Sequence, residues 1–309
     1  MSALPAPGGP ASPARLRGEG SGRRGTLRQL VVASRPLSWV NTAYPFAAAY
    51  VMATREVDLR WVVGTVFFLV PYNLLMYGVN DVFDYESDLA NPRKGGVEGA
   101  LLDRRVHRTT LLAATLLPVP FVAYLVAAGS PASWAVLAVS LFAVLAYSVP
   151  GLRFKERPVL DSLTSSTHFV SPALYGLVLA GEPIGRGAWL VLGAFFLWGA
   201  ASQAFGAVQD IPPDRAAGIG SVATVLGART TVRLAIALYL AGGALMLATP
   251  WPGPLAAVLV LPYVVVVWPF RSVRDDEAEV ANRGWRQFLG VNYAVGFLVT
   301  MLLIWTARL

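Results

Sequence analysis

The sequence predicts an all-α polytopic membrane protein, with nine transmembrane helices surrounding a central cavity. Three observations carry that reading. The 309-residue chain is 55% hydrophobic and only 14% charged, where a soluble domain carries about 25% charged residues. Its mean hydropathy is +0.55. Apolar stretches approaching the roughly 20 residues that a bilayer requires recur along the chain, and the loops between them alternate between cation-rich and cation-poor. The chain has no cysteine, which excludes disulfides, thiolate metal sites and cysteine nucleophiles. The net charge of +7 is concentrated in loops. That pattern fits membrane topology and anionic lipid, and speaks against nucleic acid as a partner.

Residues 1–26 are rich in Pro, Gly, Ala, Ser and Arg and lack an apolar core of signal-peptide length, so a disordered cytoplasmic tail is expected before a single domain over 27–309. Apolar helices are expected at about 37–54, 60–80, 109–128, 132–149, 160–180, 187–208, 229–248, 252–269 and 287–307. Pro45, Pro71, Pro118, Pro120, Pro172 and Pro262 fall inside them, which membrane helices tolerate when neighbours satisfy the freed backbone groups. Cations cluster in the tail, in the second-to-third loop (Arg93, Lys94, Arg104, Arg105, Arg108), in the fourth-to-fifth loop (Arg153, Lys155, Arg157) and in the later even-to-odd loops. The alternate connections GSPAS, AGEPIGRG and TPWPGP are short and poor in charge. The positive-inside rule then puts the N-terminus in the cytoplasm and the C-terminus outside the plasma (cell inner) membrane.

The second expected helix runs into NDVFDYESD, residues 80–88. Asn80, Asp84 and Asp88 share an i, i+4 row, with Asp81 beside it. Carboxylates at a membrane edge are costly unless a cation holds them. Hard oxygen ligands of this kind suit Mg2+, which is usually bound through one or two carboxylates plus substrate phosphates. Asp210 and Asp214, in QDIPPDRAAG, follow the sixth expected helix. Pro212 and Pro213 lie between them, so the helical row survives only if one helix ends at Asp210 and a short one begins near the prolines. Both motifs follow even-numbered helices and so face the cytoplasm, four helices apart, which hints at a duplicated four-helix unit. Asn73 and Tyr77 continue the first motif toward the bilayer centre. Trp198, Ser202 and Gly206 continue the second, with Gln203 alongside. These stripes are the expected cavity walls, although such aromatic and small residues more often serve packing. His168 is an ionisable group inside an expected span, hence a functional candidate or a hydrogen-bonded neutral histidine. Asp161 opens the fifth helix, where it favours the helix dipole or pairs with Lys155.

NDVFDYESD resembles the first aspartate-rich motif of the UbiA superfamily of intramembrane prenyltransferases. QDIPPDRAAG followed by SVATVLGAR resembles the second. YSVPGLRFK (147–155) and SRPLSW (34–39) resemble two further segments of that family. The stretch NDVFDYESDLANPRKGGVEGA is similar to the branch that prenylates carotenoids, the lycopene elongases. The resemblance implies Mg2+ clamped between two acidic sets, Asn80, Asp81, Asp84 and Asp88 on one side and Asp210 and Asp214 on the other. It implies Asp81, Asp84, Asp210 and Lys155 as the catalytic groups. Arg93, Lys94, Lys155 and Arg215 would contact phosphate oxygens, and Asn73, Tyr77, Asn80, Tyr147, Ser202 and Gln203 would line the substrate cavity. The partners implied are a short allylic prenyl diphosphate such as dimethylallyl diphosphate and a lipophilic acceptor, lycopene before a quinone precursor. From another class, a cation transporter would use acidic clusters too. It would be expected to hold its ion near the midplane on broken helices, whereas these carboxylates lie at one edge.

Overall fold

The computed structural model describes residues 23–90 and 101–308, and among them the chain is helical with no strand. A first helix, α1 (Arg23–Ala33), begins inside the segment expected as tail. Then follow α2 (Val40–Thr54), α3 (Leu59–Phe83), α4 (Tyr85–Ala90), α5 (Arg104–Ala127), α6 (Pro131–Ser148), α7 (Leu160–Ala180) and α8 (Arg186–Val208). After two short helices, α9 (Ile211–Ala217) and α10 (Val222–Leu226), come α11 (Ala228–Leu247), α12 (Gly253–Phe270) and α13 (Asp275–Ala307).

Length and composition qualify seven of these stretches as membrane spans among the described residues, not the expected nine. The two that fall short are α2, at 15 residues, and α7, whose inward face carries Asp161, Ser162, Thr164, Ser165, Ser166, His168 and Ser171. Polarity on α7 has a packing reason. This helix lies against α2, α6 and α8 together, so its side chains meet protein rather than lipid. Gly176 allows the close approach to α2, because a Cβ there would stand 2.7 Å from the Phe46 carbonyl. In lipid, such steric fit replaces the hydrophobic effect as the force between helices. The last helix starts earlier than expected, at Asp275.

The interior has two large cores, with a small cluster of Val170, Ala173 and Leu192 besides. Phe46, Tyr50, Phe67, Phe68, Tyr72, Leu125, Val144 and Tyr175 form one, from α2 to α7. Phe205, Ile211, Val232, Tyr239, Tyr263, Phe270 and Phe288 form the other, from α8 to α13. Each half thus has its own aromatic centre and one acidic motif. Helix α13 meets α2 through Tyr44 Oη and Thr300 Oγ1 at 2.8 Å, which joins the two halves. The outer surface carries exposed Leu116, Val139, Phe142, Val265 and Phe297, a lining that suits acyl chains rather than water. Trp134, Trp189, Trp251 and Trp305 are also exposed. All four lie at helix ends opposite the acidic motifs, where indole rings favour the headgroup level.

Candidate diphosphate site

The first motif is presented by a helix with a defect. Pro71 cannot donate to the turn before it, and Leu74–Gly78 widen into a π-turn. Wide turns of this kind are frequent at functional sites. Asn73 repairs the break. Its Nδ2 donates to Thr42 Oγ1 at 2.7 Å, to the Phe68 carbonyl at 2.8 Å and to the Leu69 carbonyl at 3.1 Å. The amide nitrogen is spent on these acceptors, while Oδ1 is buried with no partner. Beyond the π-turn the expected row is intact. The Asp84 N–H donates to the Asn80 carbonyl at 2.9 Å and the Asp88 N–H to the Asp84 carbonyl at 2.8 Å.

Asp81, Asp84 and Asp88 are 1%, 6% and 6% exposed. Carboxylates so buried demand positive charge around them, and among the described residues Arg35, Lys155 and Arg153 bring it to Asp81 and Asp84. Arg35 Nη2 lies 2.8 Å from Asp81 Oδ1, and its guanidinium sits 4.3 Å above the Tyr77 ring. Lys155 Nζ forms an ion pair with Asp84 Oδ2, and Arg153 Nη2 lies 3.5 Å from Asp84 Oδ1. Asn80 Oδ1 accepts from Ser148 Oγ at 2.8 Å and from Lys155 Nζ at 3.3 Å. Burial pulls the Lys155 ammonium below the usual lysine range, opposed by the adjacent Asp84 carboxylate. The Arg35 guanidinium is disfavoured by burial, but Asp81, with Tyr77 and Asp88 nearby, more than restores its charge.

Arg35 and Arg153 are the members that reading the sequence for this site passed over. Both lay in segments singled out for family likeness, SRPLSW and YSVPGLRFK, but were weighed only as loop charge. Both also hold left-handed backbones, with φ of 51° and 42°. That conformation is uncommon outside glycine and costs of order 1–3 kcal/mol per residue. Arg35 ends on Asp81 of the motif, and Arg153 is hydrogen-bonded to Glu156 with Asp84 3.5 Å away.

The second motif resolves the proline problem as the conditional reading required. Helix α8 ends at Val208, and α9 begins at Ile211 with prolines in its first turn. Missing N–H groups cost nothing there. The Asp214 N–H donates to the Asp210 carbonyl at 2.9 Å, so the two aspartates stand one helical turn apart. Arg215 is engaged elsewhere, 2.7 Å from Asp275 Oδ2 and 2.8 Å from the Thr224 carbonyl, tying α9 to α10 and α13. The connection 149–159 bridges the two motifs. It carries Lys155 to the first, and Asp161 just beyond accepts from the Val222 N–H at 2.9 Å, at the start of α10. Asp161 thus lies in the first turn of its own helix, as expected, and also meets the N-terminus of α10.

Along α8 the expected wall stripe splits in two. Trp198 packs among Phe195, Tyr263 and Phe288, Ser202 bonds to the Trp198 carbonyl and Tyr239 Oη, and a Cβ on Gly206 would lie 3.1 Å from the Trp285 ring. That row is helix packing. Gln203, one position round, faces α7 and accepts from Ser165 Oγ at 3.0 Å. Gly206→Leu should therefore displace Trp285 and lower the melting temperature in detergent, by about 1–3 kcal/mol of stability. Tyr147, on α6, sets its ring edge-on to His168 at 5.1 Å, and Asp161, Asp84, Tyr77 and Arg35 lie close enough to act on its hydroxyl. Arg93 and Lys94 lie outside the described residues.

The donor set fits Mg2+. Asn80, Asp81, Asp84 and Asp88 are oxygen ligands only, and among the described residues no three carboxylates gather tightly enough to hold an ion by themselves. Mg2+ characteristically takes one or two carboxylates and completes its shell with water and phosphate.

Two acidic motifs at the ends of long apolar helices, one of them ringed by cations, belong to a multi-pass helical membrane protein. The chain belongs to the UbiA prenyltransferase family, whose family model matches residues 42–306, and it is a prenyltransferase. It is 56% identical over 289 residues to the "C(50) beta-cyclic carotenoids biosynthesis protein LbtBC" of Dietzia sp. (strain CQ4), covering 93% of this chain and 67% of that one. It is 50% identical to a lycopene elongase/hydratase of Corynebacterium glutamicum, covering 90% and 97%. Among solved structures, a UbiA homolog from Archaeoglobus fulgidus bound to DMAPP and Mg2+ superposes with a TM-score of 0.64 at 18% identity, covering 86% of this chain and 98% of that one.

Proposed function

We propose that this protein moves a dimethylallyl group from dimethylallyl diphosphate to the carotenoid lycopene, at the cytoplasmic edge of the plasma membrane. The observation that carries the reading is the ring of cations on the first motif, joined to 50% identity over nearly the full length of a lycopene elongase/hydratase. Asn80, Asp81, Asp84 and Asp88, with Asp210 and Asp214 opposite, would hold Mg2+. Bound there, Mg2+ supplies Lewis-acid stabilisation of the departing diphosphate.

The chain's own residues do the rest. Lys155, Arg153 and Arg35 share the charge of the phosphate oxygens by charge-assisted hydrogen bonds, released from the carboxylates they hold in the structure described. Breaking the allylic C–O bond leaves its electron pair on the diphosphate and a cation on the prenyl group. Water would quench that cation, so the bundle around Tyr147 and Gln203 must exclude it. The acceptor's terminal double bond then supplies the electrons of the new C–C bond. Membranes given lycopene and dimethylallyl diphosphate should yield an elongated carotenoid, and excess chelator should stop its formation. A product from an aromatic quinone precursor, with lycopene untouched, would reject the carotenoid acceptor and leave the family.

The orientation follows from loop charge. In this natively cysteine-free chain, Ser272→Cys, between α12 and α13, should react with an impermeant maleimide only from the cytoplasmic side. Glu182→Cys, between α7 and α8, should react only from outside. Reversed labelling would reject the topology.

A further inference from the structure

His168 stands apart from the groups that handle the diphosphate. It lies on α7, seven residues beyond Asp161, which at about 1.5 Å per residue places it roughly 10 Å deeper in the bundle. The residue is 3% exposed. Its Nε2 is buried with no hydrogen-bond partner. In the neutral tautomer that carries its hydrogen on Nδ1, Nε2 is a base at membrane depth with its lone pair unused. An ionisable group there is expensive unless it has work to do.

Its surroundings say what that work is. The ring meets Tyr147 edge-on, with centroids 5.1 Å apart, and the next residue, Ser148, donates to Asn80 of the first motif. His168 therefore lies on the bilayer side of the diphosphate site, two side chains from it. That is where the hydrocarbon end of a bound prenyl diphosphate and its acceptor must meet.

We propose that His168 Nε2 is the proton acceptor that ends the prenyl transfer, an inference that rests on the carotenoid reading above. The acceptor's double bond attacks the allylic carbon, the new C–C bond forms, and a tertiary carbocation remains on the acceptor. Nε2 takes a proton from the carbon beside that cation, and the C–H electron pair becomes a new double bond. The net products are an elongated alkene, diphosphate and one proton, which leaves the imidazole between turnovers.

The test compares wild type with His168→Phe, which keeps ring size and the edge-on contact but has no lone pair. Elongated alkene, its hydrated tertiary alcohol and released diphosphate are measured in membranes supplied with lycopene, dimethylallyl diphosphate and Mg2+. The alkene should fall by about 10²-fold or more, while dimethylallyl diphosphate affinity stays within about threefold. Diphosphate release should persist, and the acceptor cation left without its base should be trapped by water as the elongated tertiary alcohol. In His168→Ala, added imidazole should restore the alkene at least tenfold. Alkene formation by His168→Phe within threefold of wild type overturns the proposal. So does loss of diphosphate binding in His168→Phe combined with no imidazole rescue of His168→Ala, which assigns the residue to folding. If wild type itself ignores lycopene but prenylates another lipid, the carotenoid reading fails and the same variants decide His168 with that lipid.

Discussion

Asp84→Ala is expected to lower prenyl transfer by at least about 10³-fold, the largest effect of any single change in this chain. Asp84 occupies the middle of the acidic row and is the point where Lys155 and Arg153 converge. Removing it deletes a proposed oxygen ligand and leaves Lys155, whose side chain is 14% exposed, with Asn80 as its remaining acceptor in the motif. A buried pair broken on one side destabilises by about 3–5 kcal/mol, a figure reduced here to about 1–2 by water at the membrane edge. Stability loss and catalytic loss must therefore be told apart. Asp84→Asn keeps the volume and one oxygen while losing the charge, so it should melt close to wild type in detergent yet remain inactive. Carotenoid extracts from membranes carrying each variant give the rate. An alanine variant that keeps more than a tenth of wild-type turnover removes Asp84 from the mechanism.

The sequence made some parts of this molecule legible and left others unreadable, for identifiable reasons. The acidic rows were readable because i, i+4 spacing translates directly into one helix face. The backbone bonds joining Asn80, Asp84 and Asp88 follow that spacing. The α8–α9 break was readable because two adjacent prolines leave a helix only one place to restart. Asn73 was not, because its amide is spent beside a π-turn that no residue pattern announces. The Ser202–Gly206 row was also misplaced as a cavity wall. Apolar and small residues look alike in sequence whether they border a groove or sit under Trp285, and only the neighbouring helix decides. Helix α7 was legible, expected at 160–180 and found there. Its surroundings were not: its serines and histidine lower its hydropathy below that of a lipid-facing span because it is wrapped by α2, α6 and α8.

Arg35 was the hardest member to foresee, and it sets the second large effect. Arg35→Lys is expected to lower kcat/KM by about 10–100-fold although the charge is retained. Lysine has neither the planar fork that meets Asp81 nor the flat surface that lies over Tyr77. Arg35 also holds a left-handed backbone immediately before Pro36, strain that persists only where surrounding contacts over-determine it. Arg35→Ala should do more damage, because Asp81 is 1% exposed and would lose its ion pair with Arg35. The double variant Arg35→Ala with Asp81→Asn separates the two roles. It should recover part of the thermal stability lost by Arg35→Ala, since the charge that Arg35 faced is removed with it, and should recover none of the activity. Coupling of this kind between residues in contact is about 0.5–3 kcal/mol, well within the reach of a melting curve and a turnover assay run on the same preparation. Full activity in Arg35→Lys would reduce Arg35 to a point charge balancing Asp81, and the aromatic contact with Tyr77 would then contribute to packing alone.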